Sequence, residues 1–410
     1  MDPQSIKINA HSHFDTQGYL LSKALMTSQN RPFAPLESDL RLARNVVIKA
    51  AILFLILNMV FAVWYPLAGL GRVSAYNRLF PGRPRLPYGD NPSKAYNLST
   101  YNLAAMFAAH ELSAGPKPPD EYRVLVIGDS SIWGYLLKNE QTLTAYLNEL
   151  QMQSPDGRAM RFYNLGYPVM SVMKDLLVLS HATRFQPDLI LWPLTLESLP
   201  YDKQLYPPLL QNNPGPTQSL IENYSLNLNP DDPNFIHENF WQRSLIGARR
   251  PLADWLRLQL YGILWAATGI DQDIPTEFTP RQEDLPADLG FHGLQPPHLQ
   301  ATDLALEIIA AGYALVGATP LMLINEPVFI SQGENSHIRY NFYYPRWAYD
   351  DYRQILQETS AERGWNYLDM WNSIPSTEFT NTAIHMTPDG TKRFARLLAP
   401  AILDFVANSP

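Results

Sequence analysis

Four short segments of this chain carry residue types that covalent nucleophilic catalysis requires. Gly128-Asp129-Ser130-Ser131 follows directly on the apolar run VLVI. A Gly-Asp-Ser turn between a strand and a helix projects a serine hydroxyl near the positive end of that helix, where a base can activate it. A serine that only caps the helix explains the tripeptide equally well. Asn164-Leu165-Gly166 offers a glycine N–H that can face a developing oxyanion, or a tight turn that needs glycine. Thr195-Leu196-Glu197-Ser198 closes a third apolar run. The last segment, Ile384-His385-Met386-Thr387-Pro388 with Asp389 and Gly390 behind it, puts a histidine just ahead of a C-terminal helix, a place suited to base work. Asn325-Glu326-Pro327 ends another apolar run and reads as a site carboxylate or as a satisfied loop residue. His11-x-His13 with Asp15 has metal-like spacing but lies in a polar stretch with no strand ahead of it, so no metal is expected there.

The elements that must position these residues alternate. RVLVIGD, MRFYNLG, DLILWPL, PLMLINEP and WNYLDM read as five short buried strands. Helical segments separate them, among them TLTAYLNEL, VMKDLLVLSHATRF, TDLALEIIAAGYALVG and WAYDDYRQILQETSAERG, and TPDGTKRFARLLAPAILDFV closes the chain. Short apolar strands joined through helices of ten or more residues mean βαβ crossovers and a parallel sheet covered on both faces. In such a sheet function gathers beyond the C-terminal strand ends, where the four segments and Asn325-Glu326-Pro327 fall.

Composition bounds the rest. The chain has 410 residues, 46% of them hydrophobic, which excludes a disordered polypeptide. Charged residues are only 17% against 12% aromatics, a balance that suits a protein with part of its surface on lipid or on a partner. The net charge of −8 argues against a nucleic-acid role. Without cysteine there is no disulfide, thiolate nucleophile or thiolate metal site. From Ala50 to Leu70 the sequence runs 21 residues without a charge. At ~1.5 Å per residue this reaches roughly 31 Å, the thickness of a bilayer's hydrocarbon layer. Trp64 and Tyr65 stand where an interfacial belt falls, so the segment reads as a transmembrane anchor rather than a core helix or a cleaved signal. Flanking cations tie, Arg31, Arg41, Arg44 and Lys49 against Arg72, Arg78, Arg83 and Arg85, so charge does not set the orientation.

Four parts follow: a polar tail over 1–45, a transmembrane helix over 46–71, a linker over 72–119 that packs on the domain, and an α/β domain over 120–408. The domain is interrupted at about 199–300 by a segment with 13 prolines. One aromatic helix, Leu252 to Ile270, lies in that insertion; Arg257 and Gln259 disfavour a second span. It is a helix on the α/β core, an interfacial helix or a lid.

Taken in order, the motifs around Ser130, Gly166, Glu197 and His385 resemble those of the SGNH (GDSL-type) hydrolase family, over about residues 120 to 408 apart from the insertion. The resemblance implies a three-layer, flavodoxin-like α/β/α sandwich with a five-stranded parallel sheet, and acyl transfer through a serine esterase mechanism. It makes Ser130 the nucleophile, His385 the base, and the N–H groups of Ser130 and Gly166 the oxyanion donors. Asp129 and Glu326 are possible supporting groups beside them. The family's third motif has an asparagine where Glu197 stands, and an aspartate three positions before the histidine where Thr382 stands, with Asn381 adjacent. A charged Glu197 would repel an oxyanion, and neither Thr382 nor Asn381 brings a negative charge to the histidine.

Two functions of different class follow. One is a membrane-anchored ester hydrolase or O-acyltransferase on acylated glycans or lipids, its domain outside the cytoplasmic membrane as in anchored relatives. The other is a catalytically weak or inactive subunit of a membrane-protein complex. A nucleotide-binding reading lacks a glycine-rich phosphate loop after the first strand. No cofactor or metal is expected, and the expected partners are membrane lipid or other membrane-protein subunits, not nucleic acid.

Overall fold

The computed structural model describes residues 37–80, 82–89, 91–268 and 277–408. Residues 1–36, with His11, His13 and Asp15, lie outside the described residues, as do residues 269 and 270 at the end of the aromatic helix. The chain divides after Val60 into two compact units.

Helix α1, Glu37–Trp64, ends the first unit and enters the second. Its stretch from Asp39 to Trp64 is long and apolar enough to cross a membrane, the one such helix among the described residues. It starts earlier in the chain than its uncharged run and stops short of Leu70. The stop is local: Tyr65 takes a left-handed φ of 43°, and Pro66 follows, which disfavours helical backbone in the residue before it. A short helix α2, Ala75–Leu79, follows ten residues further on.

The second unit is built on a sheet. In chain order it runs β1 (Glu121–Gly128), α3 (Ser130–Trp133), α4 (Leu143–Glu149), β2 (Ala159–Gly166), α5 (Val172–Ala182) and β3 (Leu189–Leu194). Then come α6 (Pro214–Asn223), α7 (Arg249–Thr268), α8 (Leu306–Val316), β4 (Leu321–Asn325), α9 (Arg346–Arg363), β5 (Asn366–Asp369) and α10 (Pro388–Asn408). All neighbouring strands pair in parallel in the order β2-β1-β3-β4-β5. That is the doubly wound, flavodoxin-like order, with its switch point between β1 and β3. β1, β3 and β4 are buried along their whole length, as their near-continuous apolar sequences require when helices cover both faces. β5, at the edge, is partly exposed.

Residues from the 72–119 segment, Leu86, Leu103, Met106, Phe107 and Leu112, join the same core. The insertion adds Leu205, Leu209, Leu210, Leu220 and Phe291 to it. Helix α7 packs by one face on a small cluster around Leu98, Ala105 and Leu258.

One buried cation fixes the sheet's functional edge. Lys174, in the first turn of α5, is wholly buried. Its Nζ donates to the carbonyls of Gly128 (2.7 Å) and Tyr167 (2.8 Å) and pairs with Asp175 at 2.5 Å. Asp175 also accepts from the Trp192 indole at 3.1 Å. Lys174→Met should therefore leave a buried carboxylate without its cation and two strand-end carbonyls without this donor. The expected loss is about 3–5 kcal/mol, read as a lower denaturation midpoint in detergent. A loss below ~1 kcal/mol would show that the lysine is dispensable.

Candidate active site

Ser130 occupies the first position of α3, immediately past the C-terminal end of β1. Asp129 caps that helix, its Oδ1 accepting from Ser131 N at 2.8 Å. The first N–H groups of a helix have no intrahelical partner, and the Ser130 N–H is one of these.

His385 comes from the loop before α10. That loop is pinned by an antiparallel bridge between Phe379 and Met386 and by Thr380, whose N and Oγ1 both donate to His385 O at 2.8 and 3.0 Å. The imidazole Nε2 lies 2.7 Å from Ser130 Oγ, across 255 residues of sequence. Its Nδ1 lies 2.8 Å from Asn381 Oδ1, and Tyr135 stacks on the ring with centroids 4.8 Å apart. An amide oxygen only accepts, so Nδ1 carries the proton and Nε2 offers its lone pair to the serine hydroxyl. Burial pulls the His385 pKa down to about 4, so the ring is neutral at physiological pH.

Thr382, which occupies the aspartate position, makes no hydrogen bond to the ring. Its Oγ1 accepts from the backbone N–H groups of Ile384 (3.3 Å) and His385 (3.2 Å) and so shapes the loop. Orientation of the imidazole falls to Asn381.

The expectation for Gly166 needs correction. Its N–H donates to Asn164 Oδ1 at 3.0 Å, so it is already engaged. A Cβ added there would sit 2.3 Å from Trp133 N and 2.7 Å from Ile132 C. The glycine thus lets β2 approach the backbone of α3, which is a packing role. Three residues on, Val169 holds a φ of 79°, an outlier for a β-branched residue. Nothing in the sequence pattern signalled it.

Glu197 sits in the 3-10 turn after β3 and is buried. Its charge is compensated: Lys203 Nζ forms an ion pair with it, and His292 Nε2 lies 3.2 Å from each oxygen. His292 Nδ1 in turn meets Asp202 at 2.9 Å. The hydrogen bond to Glu197 raises the His292 pKa, favouring imidazolium. Both partners come from the insertion, so the Lys203 ion pair offsets the expected repulsion of an oxyanion in a way the motif alone does not show.

Beneath α3 lies a second set of groups. Glu326, at the end of β4, accepts from the Ser131 hydroxyl. Asp129 and Glu326 thus hold the same residue, one by its backbone and one by its side chain. The other oxygens, Asp129 Oδ2 and Glu326 Oε1, are buried and have no donor. Burial raises both carboxyls, Glu326 well above the usual range, with the Asp129 charge as its next cause. Both shifts favour a proton held between the two carboxyls. Sequence reasoning offered Glu326 as a site carboxylate or a satisfied loop residue; it is a half-satisfied buried acid.

No family model matches the chain, and no curated protein matches it. Among solved structures, a carbohydrate acetylesterase family member from Sinorhizobium meliloti is similar at 13% identity and a TM-score of 0.30, over 70% of this chain and 99% of that one. A protein assigned as an arylesterase from Agrobacterium tumefaciens strain C58 is similar at 12% identity and a TM-score of 0.30, over 69% and 99%. Likeness at this level transfers no residue role to this chain.

The carboxyl pair makes stability depend on pH in a definite direction. Between the ordinary carboxyl value near ~4.3 and the raised folded value, the folded state holds a proton that the unfolded chain has lost. Stability therefore falls as pH rises through that window, by up to ~1.4 kcal/mol per unit. Glu326→Gln cannot ionise, and its amide can donate where the shared proton stood. The variant should show a shallower decline of unfolding midpoint between pH 4.5 and 8 than the wild type; equal slopes would refute the shared proton.

Proposed function

We propose that this chain is a membrane-anchored serine ester hydrolase or O-acyltransferase of SGNH type, acting on acylated glycans or lipids. The observation that carries this reading is the continuous line Ser130 Oγ, His385 Nε2, His385 Nδ1, Asn381 Oδ1, with contacts of 2.7 and 2.8 Å. Ser130 is the nucleophile. As its oxygen bonds to the acyl carbon, its proton passes to Nε2, and the imidazolium then protonates the departing alkoxide. Water or an acceptor hydroxyl then gives its proton to His385 Nε2 as its oxygen bonds to the acyl carbon, and the imidazolium passes that proton to the departing Ser130 Oγ, which restores the serine. The Ser130 N–H is the proposed oxyanion donor.

Asn381 fixes the tautomer but supplies no charge. Loss of an aspartate partner can cost about 10⁴ where the replacement holds the wrong tautomer. Here the amide oxygen faces Nδ1, so the tautomer is right and only the charge is missing. The buried, neutral ring still makes an imidazolium costly, so slow turnover is expected. The same missing charge and the engaged Gly166 N–H favour the second reading, a non-catalytic subunit of a membrane complex. The extracytoplasmic location is part of the proposal and rests on the likeness to anchored relatives.

A fluorophosphonate should label the wild type and not Ser130→Ala. Hydrolysis of small esters should be slow, with kcat/KM rising through about pH 4 and then level, since the free-enzyme base titrates there. Asn381→Asp should move that limb to higher pH and raise the plateau roughly tenfold, the ~1–1.5 kcal/mol by which a charge-assisted hydrogen bond exceeds a neutral one. Absence of labelling, with the fold intact by circular dichroism, would favour the subunit.

A further inference from the structure

Helix α7 presents two unlike faces. On one, the Trp255 indole donates to Leu70 O at 2.8 Å. Gln259 donates to Val73 O at 2.9 Å and accepts from Ala75 N at 2.7 Å. Gly262 abuts Tyr76. These contacts fasten the helix to the chain just past α1. Leu70 is six residues beyond Trp64, a reach of at most ~20 Å. The opposite face carries Leu256, Leu260 and Leu264 at i, i+4 and i+8, exposed by 50, 60 and 57%, with Tyr261 beside them. Contiguous exposed aliphatic side chains on a helix held in place by hydrogen bonds call for a covering surface.

A second group of exposed apolar residues converges on the same exit. Phe240, Trp241 and Ile246 are exposed, Trp241 by 72%. Their loop is tied to the exit by Arg243, whose guanidinium lies 4.8 Å from the centre of the Tyr65 ring. On the stretch between Leu70 and α2, a cavity of about 440 Å³ is lined by Arg72, Arg78 and Arg184, together with Ser74, Asn77 and His181. No carboxylate lines it, and no ion pair among the described residues engages these three arginines. His181 is held neutral, its pKa lowered to about 3 by burial and then by Arg184 and Arg72.

We propose that the face formed by α7, the Phe240–Ile246 loop and the arginine cavity docks on the bilayer surface, with the leucine stripe and Trp241 in the interface and the arginines on anionic lipid phosphates. It rests on reading α1 as a span, not on Ser130 chemistry. An amphipathic helix with arginines alongside, lying beside a membrane exit, has the composition of an interfacial element. Juxtamembrane arginines are attracted to anionic headgroups. Docking would restrain the α/β domain at the membrane plane, where an acylated lipid or a nascent glycan is met.

The absence of cysteine makes the test direct. Single-cysteine variants of the full chain, Leu57→Cys in α1, Leu260→Cys in α7 and Leu397→Cys in α10, are labelled with an environment-sensitive dye. They are reconstituted in vesicles of phosphatidylcholine with or without phosphatidylglycerol. The Leu260 dye should shift to the blue and be quenched by lipids brominated near the headgroup, and more strongly with phosphatidylglycerol. Arg72→Gln with Arg78→Gln should remove the phosphatidylglycerol dependence. Leu57 should be quenched by deep bromines, and Leu397 should behave as in water.

A water-exposed Leu260 dye beside a lipid-buried Leu57 overturns the docking and leaves the span standing. A Leu57 dye in water overturns both. A shielded Leu260 dye that no brominated lipid quenches also overturns the proposal, because protein then covers the face.

Discussion

The buried ammonium of Lys174 is the constraint on which the site depends. It joins the carbonyl at the end of β1 to the carbonyl just past β2 and anchors both to α5 through Asp175. Parallel strands expose their last carbonyls at the C-terminal edge of a sheet, where a reactive turn must leave the edge cleanly. A lysine that satisfies two such carbonyls lets Asp129 and Ser130 start α3 from a fixed point. Gly166 completes the arrangement by allowing β2 to meet the α3 backbone at a distance no side chain tolerates.

Around that point, burial rather than charge sets the chemistry. His385 is neutral because it is desolvated and its partner is an amide. Burial raises both Asp129 and Glu326, and for Glu326 the neighbouring Asp129 charge adds to it, so the protonated form of the pair is favoured. The result is a serine hydroxyl with a well-placed imidazole and no carboxylate behind it.

The proline-rich insertion and the residues after α1 adapt this core to its surroundings. Lys203 pairs with Glu197 from the insertion, and His292 hydrogen-bonds to it. Helix α7, also from the insertion, binds back onto residues 70–76 rather than onto the sheet. The same excursion therefore adjusts a carboxylate in the third motif and covers the chain that follows α1.

The sheet was legible from the chain alone, since strands buried on both faces must be continuously apolar and crossover helices must be long enough to return. The apolar run after Ala50 was legible for the same reason of length and polarity. The sequence placed Ser130 and His385 in segments that leave the sheet edge, because strand ends are local features. It did not decide which of Asn381 and Thr382 meets the imidazole, since that turns on loop hydrogen bonds. It did not show that Gly166 has its N–H engaged, or that Glu197 meets Lys203 and His292. Those outcomes depend on contacts between residues far apart in the chain. Local pattern determines which backbone forms; only tertiary packing decides which polar groups lose water together, and so which charges survive.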